Sequence, residues 1–293
     1  MGRALVSEYE VAAGVYRQAA EVLGWDVAGL SFEGPEAKLS STENAQVALF
    51  VNSLAVKAVL DQKGVAADAV TGHSLGEYSA LAAAGAIDFE EGLRLVAARG
   101  KALRAAADER PGAMAAILGL DDNRVEAICF ESGEVWPVNY NSPGQLVISG
   151  RQEAIELAEM GARSAGAKKV VRLPVSGAFH SPLMEGAAEE MKPKLAAVAF
   201  TDPEPPFFSS ISCQYEGVPG MPDLLERQIV SPVRWVETVT RLIKDGGADR
   251  FLEVGNGTVL SGLIRRIDRS VTAVSVSDPA SLDKAIAAIG RPG

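Results

Sequence analysis

The stretch Ala69-Val70-Thr71-Gly72-His73-Ser74-Leu75-Gly76-Glu77-Tyr78 decides how the rest of the chain reads. A short apolar run ends at Gly72 and an alanine-rich helical run starts after Gly76, which gives a strand, a sharp turn and a helix with Ser74 at the apex. This is the G-x-S-x-G pattern of a nucleophile elbow. Side chains at 72 or 76 would collide with the strand or the helix as the backbone folds back, so glycine suits both positions and the serine alone projects. The following helix aims its free N–H groups and the positive end of its dipole at any oxyanion formed beside Ser74, with the Leu75 N–H as the expected first donor. The same pattern also serves as a plain strand-to-helix turn whose serine caps the helix.

Outward from the elbow, helices and strands alternate. Residues 8–23 place Tyr9, Ala12, Val15, Tyr16, Ala19 and Leu23 near a 3.6-residue period, as an amphipathic helix does. The run from Glu43 to Gln62 is apolar nearly all round and too long for a strand, so it reads as a helix buried in a large core. Asp88 and Glu91 form an N-cap pair for a helix to about Ala107. This succession predicts an α/β fold: a hydrolase-like core with a mainly parallel sheet. Pro111 and Gly112 then break the pattern. Residues 113–119, 135–140, 145–149 and 169–175 read as strands and 121–131 and 151–165 as helices, the βαββαβ order of a ferredoxin-like unit. The expected organisation is a catalytic core of residues 1–112 and 177–293, interrupted by a ferredoxin-like subdomain at 113–176. Beyond it, helices near 183–197, 223–229, 235–244, 258–267 and 280–289 alternate with strands at 207–212, 250–254 and 272–276.

Composition narrows the function classes. At 293 residues, 47% apolar and 23% charged, the chain is long enough to bury a full core. Its two cysteines, Cys129 and Cys213, give neither a disulfide framework nor a metal-binding spacing and read as small buried apolar residues in a reducing compartment. A net charge of −10 argues against a nucleic-acid partner, which needs a cationic face. Glu8 and Glu10 fall too early for a signal peptide and no apolar run reaches bilayer length, so a cytoplasmic setting with no membrane partner is expected.

Serine is a weak nucleophile until a base takes its proton, and histidine is the usual base. The chain has two histidines. His73 adjoins Ser74, and neighbouring side chains diverge at an elbow. That leaves His180, within Gly177-Ala178-Phe179-His180-Ser181-Pro182, as the candidate base; otherwise it is a surface histidine in a loop. No Asp or Glu stands out as an orienting acid, which favours a Ser74–His180 dyad, with a backbone carbonyl holding the imidazole, over a triad. Arg99 shares a helical stripe with Leu95, Val96 and Leu103. A guanidinium on a core-facing stripe needs an anion. A substrate carboxylate gripped by both donors of the fork would serve, with an internal ion pair or snorkelling to solvent as the alternatives.

Together, GHSLGE at 72–77, Arg99 in AARGKAL, NYNSPGQLVISG at 139–150, GAFHSPLM at 177–184, SPVRW at 231–235 and FLEVGNGTVLSGLIRRI at 251–267 resemble the malonyl-CoA:acyl carrier protein transacylases, in order and over essentially the whole chain. The resemblance implies transfer of a malonyl group from malonyl-CoA to the phosphopantetheine thiol of acyl carrier protein in fatty acid synthesis. The malonyl-serine intermediate would form with malonyl-CoA as substrate, no other cofactor and no metal. Ser74 would carry the malonyl ester, His180 would be general base and acid, Arg99 would hold the malonyl carboxylate and the Leu75 N–H would be an oxyanion donor. The orienting carbonyl of the family aligns near Gly246. Phe179 and Leu75 resemble the malonyl-selecting form of related polyketide acyltransferases, where bulk excludes a 2-methyl branch, a discrimination of about 1 to 3 kcal/mol. Carrier proteins in this role are acidic, so Lys168, Lys169, Arg265 and Arg266 are docking candidates, and the enzyme is expected to act as a monomer.

The sequence departs from the family at its start. Members open with a strand and a phenylalanine-proline-glycine-glutamine-glycine loop whose glutamine N–H is the second oxyanion donor, whereas Met1-Gly2-Arg3 resembles the residues after that loop. The expectation is a core short of one central strand and one donor, a loss of ~10² to 10³ in rate. Asn256, between Gly255 and Gly257, replaces the usual proline, a mild change. Two other readings stay open. A serine esterase or thioesterase of the α/β-hydrolase type shares the elbow but has no use for Arg99, and a CoA or carrier-protein binding form would be catalytically impaired by the missing strand.

Overall fold

The computed structural model describes residues 1–175 and 177–290; Ser176, the last residue of the expected inserted unit, and residues 291–293 lie outside the described residues. Strands run in the order β1 (Val70–Thr71), β2 (Ala113–Leu118), β3 (Val135–Ser142), β4 (Gln145–Gly150), β5 (Lys169–Arg172), β6 (Phe207–Phe208), β7 (Tyr215–Glu216), β8 (Arg250–Val254) and β9 (Thr272–Val276). Among the described residues they form a sheet β1–β6–β7, a sheet β3–β4–β2–β5 and a pair β8–β9. The fold is α/β with mixed sheets. Among the described residues the strands pair in parallel at β1–β6, with Val70 opposite Phe207, and at β8–β9, with Leu252 opposite Val274, and one isolated parallel bridge joins Asn139 to Val233, so the parallel strands do not make one continuous sheet.

The short strands have local causes. β1 stops at Thr71 because the chain turns at Gly72: an ideal Cβ there would lie 2.0 Å from the Gly76 carbonyl carbon and 2.2 Å from the Glu77 nitrogen. At Gly76 the same test meets nothing within 4 Å, so sterics force glycine at the first position of the elbow and not at the second. The run expected as a strand over 207–212 ends at Phe208, because Ser209 and Ser210 turn inward to donate to the buried Glu77 carboxyl.

The helix Thr42–Gln62 is the spine of the main core, burying Val47, Phe50, Val51, Ala55, Val56 and Val59 against the helices Glu10–Leu23 and Phe89–Glu109. Its all-round apolar character follows from having neighbours on every side. At Gly100 a Cβ would sit 2.8 Å from the Glu43 Cα, so the close crossing of Thr42–Gln62 and Phe89–Glu109 depends on the absent side chain. The helix expected over 8–23 is divided by extended backbone at Tyr9 (φ −119°, ψ 113°) into Arg3–Glu8 and Glu10–Leu23.

The antiparallel sheet has its own core. Ala113, Ala115, Ile117, Leu146 and Ile148 meet Val125, Ile128 and Cys129 of helix Asp122–Ser132 and Ile155, Ala158 and Ala162 of helix Gln152–Ser164. The alternate residues Met114, Ala116, Val138 and Val147 face Phe179 and Trp136, which also touch the main core. The period-2 alternation therefore serves two apolar faces, as in a sheet covered on both sides. Both cysteines are buried and unpaired. Among the described residues no helix is long and apolar enough to cross a membrane.

Gly72→Ala is expected to lose about 3 kcal/mol of stability or more, since its methyl group meets backbone that cannot yield. Gly76→Ala is expected to stay near wild type; urea denaturation of both variants checks the contrast, and equal midpoints would contradict it.

Candidate active site

The turn that Gly72 permits places Ser74 at φ 54°, in the left-handed region that a serine rarely adopts. It is held there by Gly76 N–H donating to His73 O and Glu77 N–H donating to Ser74 O, both at 3.0 Å. The Leu75 N–H, between them, has no partner among the described residues and is free to meet an oxyanion. His180 comes from the loop before helix Glu185–Ala196 and also has a positive φ, 62°. Ser181 pins this loop, its hydroxyl donating to Ala178 O at 2.6 Å.

Ser74 Oγ and His180 Nε2 lie 2.7 Å apart. On the other side of the ring, His180 Nδ1 is 3.0 Å from Gln228 O and 3.1 Å from Ser231 O. Carbonyl oxygens only accept, so Nδ1 carries the hydrogen, and Nε2 presents its lone pair to the Ser74 hydroxyl. The carbonyl expected near Gly246 is therefore supplied elsewhere. Gly246 follows the helix Trp235–Lys244 and lines a separate small cavity with Phe208, Cys213, Tyr215 and Arg241, whereas the end of helix Met221–Gln228 runs directly behind the imidazole. Burial, and next the Arg99 charge, pull the His180 pKa down to about 3 against the opposing pull of the two carbonyl bonds. The ring is neutral near pH 7, the form a base requires.

His73 points elsewhere. Its Nε2 is 2.9 Å from Asn141 Oδ1 and its ring lies tilted against Trp235, centroids 5.6 Å apart. Neighbouring side chains diverge at the elbow as expected.

Arg99 is 3% exposed and reaches the same point from helix Phe89–Glu109. Its partners are all neutral oxygens: Nη1 donates to Gln46 Oε1 at 2.5 Å, and Nη2 to Gln228 Oε1 at 3.0 Å and to Ser74 Oγ at 3.2 Å. Nε is buried without a partner. Neither internal ion pairing nor snorkelling describes it. Burial pulls the guanidinium below its ordinary pKa, opposed by its neighbours Tyr78 and Glu77. Phe179 and Leu75 are half-buried beside His180 and Ser74 and pack on the main core.

Sequence reasoning missed Gln46, Gln228 and Glu77. Gln228 and Glu77 are fully buried, and Gln228 bonds to Ser74, Glu77, Arg99 and His180. Besides its bonds to Arg99 and His180, its Nε2 donates to Ser74 O at 3.0 Å and to Glu77 Oε2. Burial pushes the Glu77 carboxyl up, while its bonds from Gln228, Ser209 and Ser210 pull it back. Gln228 follows Leu224 and Leu225 on a buried stripe, and a buried amide there needs hydrogen-bond partners, which is the signal that could have found it. Of the basic residues, Lys168, Lys169, Arg265 and Arg266 are all exposed, but Arg265 donates to Ala273 O at 2.7 Å, Arg266 to Gln145 Oε1 at 2.8 Å and Arg172 to Glu159 at 2.9 Å. No group of His, Cys, Asp and Glu among the described residues has the arrangement to hold a metal ion.

Comparison with known proteins bears on this arrangement. The acyl transferase domain profile matches residues 1–281. The malonyl CoA-acyl carrier protein transacylase of Escherichia coli K12 is 40% identical over 288 residues, 96% of this chain and 93% of its own length. An acyl carrier protein S-malonyltransferase from Vibrio cholerae superposes with a TM-score of 0.93 at 41% identity, covering 97% of this chain and 94% of that one. A malonyl-transacylase solved in complex with a type II PKS acyl-carrier protein superposes at 0.95 with 40% identity, over 98% and 94% of the respective chains.

The depressed pKa of His180 makes a stability prediction. Between its ordinary value of 6.5 and about 3, the unfolded chain holds a proton that the folded chain refuses. Stability is thus undiminished above that window and falls as pH drops through it. His180→Asn is expected to flatten this slope in urea denaturation between pH 7 and pH 4, with His73, which burial also holds low, contributing in the same sense and Glu77, whose carboxyl burial pushes up, in the opposite one. An unchanged slope would contradict the assignment.

Proposed function

The chain belongs to the malonyl-CoA:acyl carrier protein transacylases within the acyl transferase domain family, and from that membership we infer that it moves a malonyl group from malonyl-CoA to the phosphopantetheine thiol of acyl carrier protein. The reading of the site rests on one observation above the others: a buried guanidinium with no carboxylate partner stands 3.2 Å from the hydroxyl of a serine that is bonded to a neutral histidine. An esterase for uncharged substrates has no use for such a cation, and a malonyl carboxylate does.

In the first half-reaction Ser74 Oγ attacks the thioester carbonyl carbon as its proton passes to His180 Nε2. The oxyanion meets the Leu75 N–H at the start of helix Gly76–Ala83, and Gln228 O and Ser231 O accept from Nδ1–H of the imidazolium. The carbon–sulfur bond breaks, Nε2 returns its proton to the sulfur and free CoA leaves. In the second half-reaction the carrier-protein thiol gives its proton to Nε2 and attacks the ester; Ser74 recovers the proton as its oxygen departs. Arg99 holds the carboxylate throughout, its unpartnered Nε–H being the donor that the ligand satisfies. Thioester, ester and thioester exchange without oxidation or reduction, so we assign no cofactor beyond the substrate. Phe179 and Leu75 supply the bulk that disfavours a 2-methyl branch.

In this reading residues 1–112 and 177–293 are a hydrolase-like catalytic core and 113–176 a ferredoxin-like insertion. The β3–β4–β2–β5 order, with both helices on one face, supports it. Lys168, Lys169, Arg265 and Arg266 remain candidates to meet the acidic carrier protein, the two arginines being each tied by one hydrogen bond, to Ala273 O and Gln145 Oε1.

Initial rates with malonyl-CoA and holo acyl carrier protein varied together are expected to give parallel double-reciprocal lines; intersecting lines would overturn the covalent intermediate. Arg99→Ala is expected to lower kcat/KM for malonyl-CoA by about 2 kcal/mol or more, a factor of roughly 30 upward, and to affect acetyl-CoA far less. Equal losses for both would remove Arg99 from substrate recognition.

A further inference from the structure

We propose that Glu77 is a positioning residue, which orients the Gln228 amide so that Arg99 keeps its place and its donors for the substrate carboxylate. This rests on the function inferred above.

The elbow puts Glu77 in the first turn of its helix, three residues beyond Ser74, with its carboxyl turned inward and fully buried. Oε1 accepts from Ser210 N at 2.6 Å, Ser209 Oγ at 2.9 Å and Ser210 Oγ at 3.0 Å. Oε2 accepts from Gln228 Nε2. An amide has two nearly isosteric orientations, and its surroundings choose between them. At Gln228 two acceptors, Glu77 Oε2 and Ser74 O, draw Nε2 inward, which leaves Oε1 for Arg99 Nη2. Reversed, the amide would point hydrogens at a guanidinium that has only hydrogens to offer. The Glu77 carboxyl, one residue removed from the cation, offsets its charge without occupying its donors. A carboxylate in direct contact would do the opposite and compete with the substrate.

Glu77→Gln tests this with almost no change of shape. The backbone N–H of Ser210 cannot turn, so it holds the new amide oxygen and leaves the new NH₂ facing Gln228. Two donors then oppose each other, which pushes the Gln228 amide away from its bonding with Arg99 against the hold of Ser74 O alone on Nε2. Serine acylation is to be measured by rapid quench and intact-protein mass spectrometry with malonyl-CoA and, separately, acetyl-CoA. The expected result is a fall of about ten- to hundredfold in the malonyl-over-acetyl kcat/KM ratio, the scale of a charged hydrogen bond. A role confined to stability would lower the melting temperature and leave that ratio alone. A folded Glu77→Gln protein whose ratio stays within twofold of wild type overturns the proposal. Should that variant not fold, Ser210→Ala removes one donor that anchors Glu77, and the same ratio is read; there a fall supports the proposal and an unchanged ratio overturns it. If the wild type itself forms no malonyl-serine, the inferred function has failed rather than the role of Glu77.

Discussion

The absence of a side chain at Gly72 is the constraint on which the rest depends. With a Cβ position 2.0 Å from the Gly76 carbonyl carbon, no other residue lets the chain reverse so tightly between β1 and the following helix. From that reversal follow the left-handed Ser74, the free Leu75 N–H and the inward direction of Glu77. The strand is short and the backbone strained because the turn comes first. The buried hydrogen bonds around Ser74 and Glu77 repay that strain.

The electrostatics have one logic. A catalytic imidazole can be oriented by a carboxylate, but here Arg99 lies in the same buried space, bonded to the same serine. A carboxylate behind His180 would be drawn to that guanidinium and would take the donors meant for substrate. Two backbone carbonyls orient the ring without adding charge, and two glutamine side-chain oxygens fix the guanidinium without neutralising it. His180 is kept neutral by burial and by the Arg99 cation; in the proposed reaction a carboxylate bound at Arg99 would offset that cation and raise the basicity of the ring.

Legibility in the sequence followed the range of the interaction. The elbow, the capped helix Phe89–Glu109 and the helix Thr42–Gln62 were legible because glycine spacing, an N-cap aspartate and apolar periodicity act within a few residues. That Ser74, His180 and Arg99 meet at one point was legible because elimination among two histidines and one arginine on an apolar stripe needs no long-range geometry. The carbonyl behind His180 was not. A carbonyl carries no side-chain signature, and alignment near Gly246 missed Gln228 and Ser231, which reach the ring through tertiary packing. The division of the parallel strands between two sheets, and the stop at Phe208, depend likewise on pairing and on Glu77, and period-2 patterning does not reveal either.

The most direct test of the account is peptide-mapped mass spectrometry of the chain after brief exposure to malonyl-CoA. The account predicts a malonyl group on the peptide containing Ser74, lost in Ser74→Ala and discharged when holo acyl carrier protein is added. Release of free malonate without a covalent adduct, or an adduct on another residue, would contradict it.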